Sequence, residues 1–557
     1  MTEEKRKWNV WLPLMLSVVM VAGILIGVKM QDNPPTTIAI DVPVQEKKQL
    51  PPSSLGQGKL EELIRYIESR YVDDVDKEFL VKEAIDNILH QLDPHSSYIS
   101  AEDLKAVTDQ LEGSFDGIGI EFLVVNDTVV VVSTIAGGPA RKAGILPGDQ
   151  IVGVEDSLVL GVNADADKLL KHLKGEKGSE VLVKVYRPST RSTETFELTR
   201  DKIPVSSVSA AYMLDDETGY IKVDRFSAHT YEEFMTALEN MVEKQGMKHL
   251  VLDLRQNPGG YLQEAVNILS QLFSEKERLL VYTEGTHSSR SEYKSTGRNF
   301  YDLNNIAVLV DEGSASASEI VAGAIQDWDR GVIIGRRTFG KGLVQEQYPL
   351  RDGSAIRLTV ARYFTPSGRC IQKPYGAETD YAHDLSERLE HGEMFDKDSI
   401  QLADTIQYKT NAGRVVFGGG GIVPDIFIPM DSLLISSAFI SANRHIPSFT
   451  YQYVEAHRAE LEEMGLDAFV EGFTLSDELL NEFRSYCEAN GTKLSKSDWA
   501  KIRDRVRIHL KAGIAQNKWS EAGYVKVMNR VDPAVVKALE FVKKDNPLSK
   551  IQAENLQ

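Results

Sequence analysis

The sequence predicts an α/β core with an inserted β-rich domain and helical regions on both sides. Three observations lead to this fold class. Between about 215 and 430, short apolar runs of strand character alternate with stretches of helical spacing, which is the order of an α/β domain. Residues 113–187 consist of short β-branched runs separated by glycine turns. Residues 58–112 and 432–557 carry apolar residues at helical spacing.

The first thirty residues predict a membrane anchor. Residues 8–28 contain no charged side chain, and a run of this length is about enough for one helical crossing of a membrane. Three basic residues precede the run. The alternative is a cleaved signal peptide, but no small-residue cleavage site follows the apolar run. We therefore expect a single-pass helix in the bacterial inner membrane, a proline-containing tether over 31–57, and a catalytic part in the periplasm or cell envelope.

The composition is that of a globular chain and excludes two kinds of site. The 63 basic and 82 acidic side chains give a net charge of −19. A chain this acidic repels nucleic-acid phosphates unless it carries a basic stripe, and none occurs in the sequence, so no nucleic-acid partner is expected. Cys370 and Cys487 are too few for a disulfide framework or a cysteine metal cluster, and nothing in the sequence shows that they pair.

Residues 113–187 are similar in order to a PDZ domain. The run GIGIEF at 117–122 leads into a β-branched strand, a small-residue turn opens a short helix, and GILPGD follows at 144–149. PDZ domains hold a peptide carboxylate on consecutive N–H groups of a glycine-rich loop, and the peptide adds a strand to the sheet. Alternatively, the glycines only form a tight bend. The resemblance implies that the peptide-binding loop is Gly117, Ile118, Gly119 and Ile120.

A serine-rich turn at 311–320 is the first candidate for catalytic chemistry. An apolar strand stops there, small residues crowd the turn, and a helix rich in alanine and glycine follows. A serine at such a junction has an exposed hydroxyl close to free helix N–H groups, which can stabilise an oxyanion. An ordinary serine N-cap would explain the same residues. The chemistry alone does not choose between Ser314, Ser316 and Ser318.

The base that such a serine needs is not an obvious histidine. None of the eleven histidines lies in this motif or in the glycine-rich segments around it, and no Gly-x-Ser-x-Gly or His-Glu-x-x-His motif occurs. Lys341, between two glycines, is the candidate, because burial can lower the pKa of a lysine until it acts as a base. The Ser-x-x-Lys spacing from Ser291 to Lys294 lacks its companion motifs and is interpreted as accidental.

A phosphate-binding loop is the rival interpretation of the same lysine. Residues 335–342 match Gly-x-x-x-x-Gly-Lys after a strand, but Gly342 occupies the position of the Ser or Thr that binds magnesium. The residues that follow alternate like a strand, whereas a phosphate loop opens a helix. The sequence therefore favours a base over a nucleotide site.

Six further segments are LDPHSSY at 92–98, LDLRQNPGG at 252–260, GSASASE at 313–319, TFGKGLVQ at 338–345, FTPSGRCIQ at 364–372 and GIVPD at 421–425. With the PDZ-like segment, they resemble the carboxyl-terminal processing peptidases, also called tail-specific proteases. The likeness spans roughly residues 60–430 in the family's order. It implies a serine protease core of the ClpP/crotonase-like spiral type with an inserted PDZ domain, and it implies no metal or cofactor.

The resemblance also assigns roles to single residues. Ser316 matches the nucleophile, Lys341 the general base, and Gln345 the glutamine that orients the lysine amine. Residues 341–345 lie in a strand-like run, so alternate side chains put Lys341 and Gln345 on one face.

The family likeness further implies an oxyanion hole built from the backbone N–H groups of Ala317 and of Gly259 or Gly260, since glycines after a strand allow close approach. Glu319 is expected to support the helix start, where an acid suits the dipole.

We interpret the chain as a membrane-anchored, envelope-facing serine endopeptidase that recognises apolar carboxyl-terminal tails of protein substrates through its PDZ domain. A homo-oligomer or an activating adaptor is compatible with the sequence, and gating by the PDZ domain and flanking helices would leave a disassembled dyad at rest. The alternative is a proteolytically inactive PDZ-containing binding or scaffold protein, against which the intact Ser316, Lys341 and Gln345 argue.

The predicted segments are the cytoplasmic N-terminus and transmembrane helix (1–30), a linker (31–57), an N-terminal helical region (58–112), the PDZ domain (113–187), the serine protease core (188–431) and a helical C-terminal region (432–557). Within the first helical region, the break at 92–95 predicts a helix end, and Ser100 is expected to cap the next helix.

Overall fold

A computed structural model describes the chain as two compact units, residues 1–83 and 84–557. The residues described are 58–125, 128–155, 157–158, 171–376, 381–402, 406–544 and 548. The predicted transmembrane helix and tether, residues 1–57, lie outside them.

The predicted localisation needs correction. Among the described residues, no helix is both long enough and apolar enough to cross a membrane. The longest helical segment, Lys496–Met528, is kinked by non-helical backbone at Trp519 and Ser520 and carries charged side chains along its length. This finding contradicts the prediction of a single-pass protein of the bacterial inner membrane with its catalytic part in the periplasm or cell envelope, and we withdraw it.

Helices open the described part of the chain, as the spacing predicts. The elements are α1 (Lys59–Arg70), α2 (Lys77–His90), β1 (Ser97–Ile99) and α3 (Ala101–Glu112). The Ser100 side chain caps α3 by accepting the N–H of Asp103, and Gly113 ends the helix at φ 70°. The predicted break and cap are therefore both present, with a turn at 91–96 between α2 and β1.

The β-rich insert follows, with a five-strand path β3-β4-β5-β7-β8 and the short β6 paired to β5. Its elements are β2 (Ser114–Gly117), β3 (Ile120–Val125), β4 (Thr128–Thr134), α4 (Pro139–Ala143), β5 (Gln150–Val154), β6 (Ser157–Leu158), β7 (Glu180–Arg187), β8 (Ser192–Thr199) and β9 (Asp201–Pro204). Alternate β-branched residues fill its core, among them Val129, Val131, Val181, Val183 and Val185. Strands β2 and β9 pair antiparallel where the chain enters and leaves the insert.

The α/β region continues to residue 431. Its strands are β10 (Val208–Met213), β11 (Thr218–Val223), β12 (His249–Asp253), β13 (Lys276–Glu284), β14 (Ser291–Thr296), β15 (Ile306–Val310), β16 (Val332–Gly335), β17 (Leu343–Pro349), β18 (Ala355–Phe364), β19 (Gln407–Lys409), β20 (Val415–Phe417) and β21 (Ile426–Phe427). Its α-helices are α5 (Thr230–Gln245), α6 (Leu262–Leu272), α7 (Ala317–Asp327) and α8 (Asp384–Glu390), and a 3₁₀ turn spans Lys397–Ser399.

A six-stranded sheet in the order β10-β11-β12-β15-β16-β21 forms the centre of this region, parallel except for β10. All five residues of β15 are buried, as expected of a parallel strand covered on both faces. Helices α5, α6 and α7 pack on one face. A second, antiparallel sheet joins β1, β18, β13 and β14, and β17 also pairs with β18. The ClpP/crotonase-like spiral stays a prediction.

The C-terminal region is helical, as predicted, and has two parts. Its helices are α9 (Ser437–Asn443), α10 (Ile446–Ala456), α11 (Arg458–Glu462), α12 (Leu466–Gly472), α13 (Asp477–Ala489), α14 (Lys496–Met528) and α15 (Pro533–Val542). Helices α9 to α14 share an apolar core of their own. Helix α15 instead covers the second face of the central sheet, where Val535 and Phe541 lie against Val251 and Leu309. From α10, Tyr451 packs on Val130 of the β-rich insert.

Candidate active site

Ser316 lies where β15 ends and α7 begins, at the carboxyl edge of the parallel sheet, the usual place for a site in such folds. It is the N-cap of α7 with φ 55° and ψ −113°. A non-glycine residue adopts positive φ only where its surroundings hold it there. Its N–H donates to Glu319 Oε2 at 2.9 Å. The turn therefore has a fixed backbone and presents a partly exposed side chain.

Burial distinguishes the three serines of this turn. Ser314 and Ser318 are fully buried. Ser314 Oγ donates to the Leu254 carbonyl at 2.8 Å, and Ser318 Oγ donates to the Asn257 carbonyl at 3.0 Å. The Ser316 oxygen accepts the Glu319 N–H in the capping box of α7, but among the described residues the Ser316 hydroxyl donates to no acceptor. Of the three serines, Ser316 alone is partly exposed with its hydroxyl proton not engaged.

Lys341 precedes β17 and is held by its side chain as well as its backbone. Its Nζ donates to Gln345 Oε1 at 3.0 Å, and Gln345 Nε2 donates to the His95 carbonyl at 2.5 Å. The pairing of β17 with β18 shifts in register between Val344 and Gln345, directly beside the site. Such irregularities re-aim side chains next to active sites.

The surroundings of Lys341 favour a neutral amine. Burial lowers its pKa from the ordinary value, and the nearby charge of Arg357 lowers it further, while the carboxyl groups of Glu319 and Asp93 act in the opposite direction. The net shift is downward, as a lysine base requires.

Glu319 joins the serine turn to the lysine loop. Its side chain is fully buried. Oε2 accepts the N–H of Ser316 at 2.9 Å and of Lys341 at 2.8 Å, and Oε1 accepts the Gly340 N–H at 2.8 Å and the Thr338 hydroxyl at 2.5 Å. Burial raises the pKa of Glu319 to about 7, and these four donors oppose the rise. One carboxylate oxygen therefore bridges the peptides of Ser316 and Lys341.

Tyr363 makes a second bridge from β18. Its buried hydroxyl lies 2.5 Å from the Lys341 carbonyl oxygen and 3.0 Å from the Ser316 carbonyl oxygen. The single hydroxyl proton can serve either acceptor. Sequence reasoning missed Tyr363: it directly precedes the FTPSGRCIQ segment, but an aromatic in a strand indicates a core residue and nothing more.

The backbones of Ser316 and Lys341 are close, but their side chains are not joined. In the described part of the structure, no hydrogen bond connects the Ser316 hydroxyl with the Lys341 amine, whose recorded side-chain partner is Gln345. The hydrogen bond between serine and base that proton transfer uses is therefore not formed in this conformation.

The Asn-Pro-Gly-Gly turn lies against the serine. At Gly259, with φ 97°, a Cβ would stand 2.7 Å from Ser316 Cβ and 2.9 Å from Ala317 N. The Gly259 N–H is already donated to Asn257 Oδ1 at 2.8 Å. Across the residues described, neither the Gly260 nor the Ala317 N–H has an acceptor. These two amides are the donors left for an oxyanion.

Asn257 fixes this turn in place, a residue to which the sequence assigned no role. Its Nδ2 donates to the Val223 carbonyl at 2.8 Å, and its own carbonyl accepts the Ala315 N–H at 2.9 Å. Behind the turn, Arg255 pairs with Asp253 and with Asp532, the N-cap of α15. The C-terminal helix is thereby tied to the strand that carries the candidate oxyanion turn.

The predicted peptide-binding loop lies in the β-rich insert, on different elements from Ser316 and Lys341. Gly117 ends β2, Ile120 begins β3, and Gly119 between them has φ 76°. The carbonyl of Ile118 accepts the N–H of Ala140, and that of Gly119 accepts the N–H of Ile135, both at 2.9 Å. Within the described chain, the N–H groups of Ile118 and Gly119 have no acceptor, which leaves two consecutive donors.

Three protein-family models match three separate parts of the chain: the α/β region, the β-rich insert and the C-terminal helical region. The model of peptidase family S41 matches residues 217–383, the PDZ domain model matches 117–199, and a family of unknown function, DUF8443, matches 438–520. The last range lies within the C-terminal helical region.

Two curated relatives and one solved structure are similar over most of the core. The chain is 33% identical over 396 residues to the carboxy-terminal processing protease CtpB of Bacillus subtilis, covering 70% of this chain and 79% of that protein. It is 36% identical over 315 residues to the carboxy-terminal-processing protease of Bartonella bacilliformis, covering 56% and 71%. The solved photosystem II D1 C-terminal processing protease is 32% identical, covering 56% of this chain and 89% of that one, with a TM-score of 0.32.

The family assignment rests on the two relatives and confirms the resemblance and the enzyme class that the motifs predict. The chain belongs to the carboxy-terminal processing proteases of peptidase family S41, which are serine-type peptidases, and it carries a PDZ domain.

Proposed function

We propose that this protease captures protein substrates by their free, apolar carboxyl-terminal tails and cleaves them with Ser316 as nucleophile, Lys341 as general base and Gln345 as the orienting amide. The observation that carries the proposal is the shared carboxylate oxygen of Glu319, which holds the peptides of Ser316 and Lys341 together. The partly exposed Ser316 hydroxyl, whose proton has no acceptor among the described residues, and the lowered pKa of Lys341 support the same assignment.

The chemistry follows from these groups. Neutral Lys341 takes the proton of the Ser316 hydroxyl as Oγ attacks the scissile carbonyl, and the amides of Ala317 and Gly260 hold the developing oxyanion. The protonated amine then gives its proton to the leaving amine, which completes the acyl-enzyme. Lys341 then takes a proton from the water that attacks the acyl carbon and returns it to the Ser316 oxygen as the ester bond breaks, which frees Ser316 and the new carboxyl terminus.

Tail recognition is proposed to take place at residues 117–120. The consecutive donors of Ile118 and Gly119 suit a terminal carboxylate, and β3 is the end strand of the described sheet path, where a peptide strand can be added. Because the hydroxyl of Ser316 and the amine of Lys341 are not bonded to each other, we interpret this conformation as a resting state. Self-assembly and an activating adaptor stay predictions.

Two matched substrates test this proposal. An unfolded protein with an apolar tail would be prepared with a free carboxyl end and with an amidated end, then incubated with the wild-type chain. We expect cleavage of the free-ended protein and at least about tenfold slower cleavage of the amidated one, since a lost charge-assisted contact is worth about 1.5–3 kcal/mol. Equal rates for both would refute tail recognition. Tight binding of the free end without any cleavage would favour the inactive scaffold instead.

A further inference from the structure

The turn at 91–96, between α2 and β1, reaches the candidate site through its main chain. Lys341 Nζ donates to Gln345 Oε1 at 3.0 Å, and Gln345 Nε2 donates at 2.5 Å to the carbonyl oxygen of His95. The LDPHSSY segment was singled out in the sequence as part of the family likeness, but no role was attached to it. The His95 carbonyl is thus the last member of a chain of hydrogen bonds that runs from the Lys341 amine through the Gln345 amide. We call this chain the relay.

The end of this relay sets the orientation of the Gln345 amide. An amide side chain can be turned by half a rotation, which exchanges its oxygen and its NH₂ group. A carbonyl oxygen accepts only from the NH₂ group, so the His95 carbonyl holds the Gln345 oxygen toward Lys341. A neutral lysine amine that donates one N–H to this oxygen has its lone pair directed elsewhere, where it can accept the serine proton.

Asp93 fixes the position of that carbonyl. Its Oδ1 accepts the N–H groups of His95 and Ser96, both at 2.8 Å, and its Oδ2 accepts the Ser96 hydroxyl at 2.6 Å. The Ser96 oxygen in turn accepts the Thr359 N–H of β18 at 3.1 Å. Both Asp93 and Ser96 are buried, with 5% and 1% of their surface exposed. The turn is therefore attached to the strand that pairs with β17.

The His95 side chain also fixes the turn, through a contact with Tyr381. Its Nε2 lies 2.7 Å from the Tyr381 hydroxyl, and the two rings meet edge to face. Burial and then the neighbouring Lys341 charge lower the pKa of His95 to about 4, so the imidazole is neutral near neutral pH. The His95 ring therefore adds no positive charge beside the Lys341 amine.

We infer that the turn at 91–96 positions the general base. Asp93 is the positioning residue, and it acts through the His95 carbonyl and the Gln345 amide. This inference rests on the proposed role of Lys341.

A double-mutant cycle tests whether Asp93 acts through Gln345. Asp93→Ala, Gln345→Ala and the double variant would be assayed in the full chain for kcat and KM on one free-ended substrate. In the wild-type background Asp93→Ala removes the acceptor of the His95 and Ser96 N–H groups and should lower kcat by about ten- to a hundredfold with KM nearly unchanged, as expected of a misplaced reacting group. In the Gln345→Ala background the same change should cost less than about twofold, because residues in one network are not additive. Equal losses in both backgrounds would overturn the inference.

The pH profile of kcat gives a second readout. The charged and titratable groups facing Lys341 are Arg357 of β18, Glu319 of α7, and Asp93 and His95 of the turn. Removing the negative charge of Asp93 should shift the rising limb of kcat to lower pH, since that charge favours the protonated amine. Ser96→Ala keeps the charge and should lower kcat without moving the limb. A profile that moves equally in both variants, or in neither, would contradict the relay.

Two controls separate the possible failures. Asp352→Ala removes the same kind of cap, since Asp352 Oδ1 accepts the N–H of Ser354 at 3.0 Å and its hydroxyl at 2.6 Å in the β17–β18 turn. It should leave kcat within about twofold of wild type. If Asp93→Ala does not fold, Ser96→Ala takes its place in the cycle. Full activity in Lys341→Ala would refute the proposed base itself, whereas an inactive Lys341→Ala with an additive cycle refutes only the positioning role.

Discussion

Replacing Glu319 by glutamine is expected to separate the two candidate catalytic residues without changing either of them. The carboxylate accepts four hydrogen bonds, two at each oxygen. A glutamine offers one oxygen and one NH₂ group, and NH₂ accepts none. Whichever way the amide turns, two buried donors lose their acceptor. With Oε1 kept as the oxygen, these are the N–H groups of Ser316 and Lys341.

The structure sets the size of this effect. A buried donor without an acceptor costs about 1–3 kcal/mol, so two of them cost about 2–6 kcal/mol of unfolding free energy. The lower part of that range is expected, because burial already disfavours the charged carboxylate and raises the pKa of Glu319 to about 7. Activity should fall as well. If the serine turn and the lysine loop move apart by about 1 Å, kcat falls by about a hundredfold.

Urea unfolding and initial rates measure the two quantities on the same preparation. Glu312→Gln is the matched control: it makes the same chemical change in the same turn, where Glu312 pairs with Arg336 at 2.7 Å instead of bridging the site. A glutamine keeps an oxygen that accepts from Arg336, so this variant should lose less stability than Glu319→Gln and keep kcat within about threefold of wild type. A Glu319→Gln variant with wild-type stability and wild-type kcat would refute the bridging role of this carboxyl group.

Three more predictions concern the same site. Tyr363→Phe leaves a buried carbonyl of Lys341 or Ser316 without its donor, so we expect a loss of about 1–3 kcal/mol in urea unfolding and about tenfold in kcat, with KM unchanged. The lowered pKa of Lys341 means that its neutral fraction grows with rising pH at values below the ordinary 10.5, so kcat should rise with pH in that window. Gly259→Ala puts a Cβ 2.7 Å from that of Ser316 and should lower kcat by about a hundredfold through displacement of the oxyanion turn.

Each of these has a control and a contradicting result. Tyr293→Phe, on β14 of the same sheet, should leave kcat unchanged; equal losses in both tyrosine variants would remove the bridging role of Tyr363. A pH–kcat profile that falls as pH rises over the same window would contradict a lysine base. Gly137→Ala carries the same backbone penalty, with φ 74° and nothing within 4 Å of the added Cβ. If it lowers kcat as much as Gly259→Ala does, close approach to the serine is not the cause.

The sequence indicated the residues that lie in short contiguous motifs, and it failed where contacts join distant segments. Ser316, Lys341 and Gln345 each sit in a recognisable run of small or glycine-flanked residues. The chemistry of the run left three serines open and the family resemblance chose Ser316; burial, which the run does not encode, supports the same choice. The contact of Gln345 with His95 spans 250 positions, so no local pattern predicts it. Tyr363 looked like an ordinary strand aromatic for the same reason.

The C-terminal region shows the same limit at the level of the fold. Helical spacing predicted helices over 432–557, and helices are present. Spacing gives an apolar face but not the surface that the face covers. That α15 covers the central sheet, and that Tyr451 of α10 packs on the PDZ domain, therefore became visible only in the structure.

The most direct test of the central claim compares cleavage by wild type, Ser316→Ala and Ser318→Ala on one free-ended protein substrate, with the fragments identified by mass spectrometry. Ser318→Ala removes a neighbouring hydroxyl whose only side-chain hydrogen bond within the described residues is to the Asn257 carbonyl. We expect fragments from wild type and Ser318→Ala and none from Ser316→Ala. Continued cleavage by Ser316→Ala at the wild-type rate would contradict it.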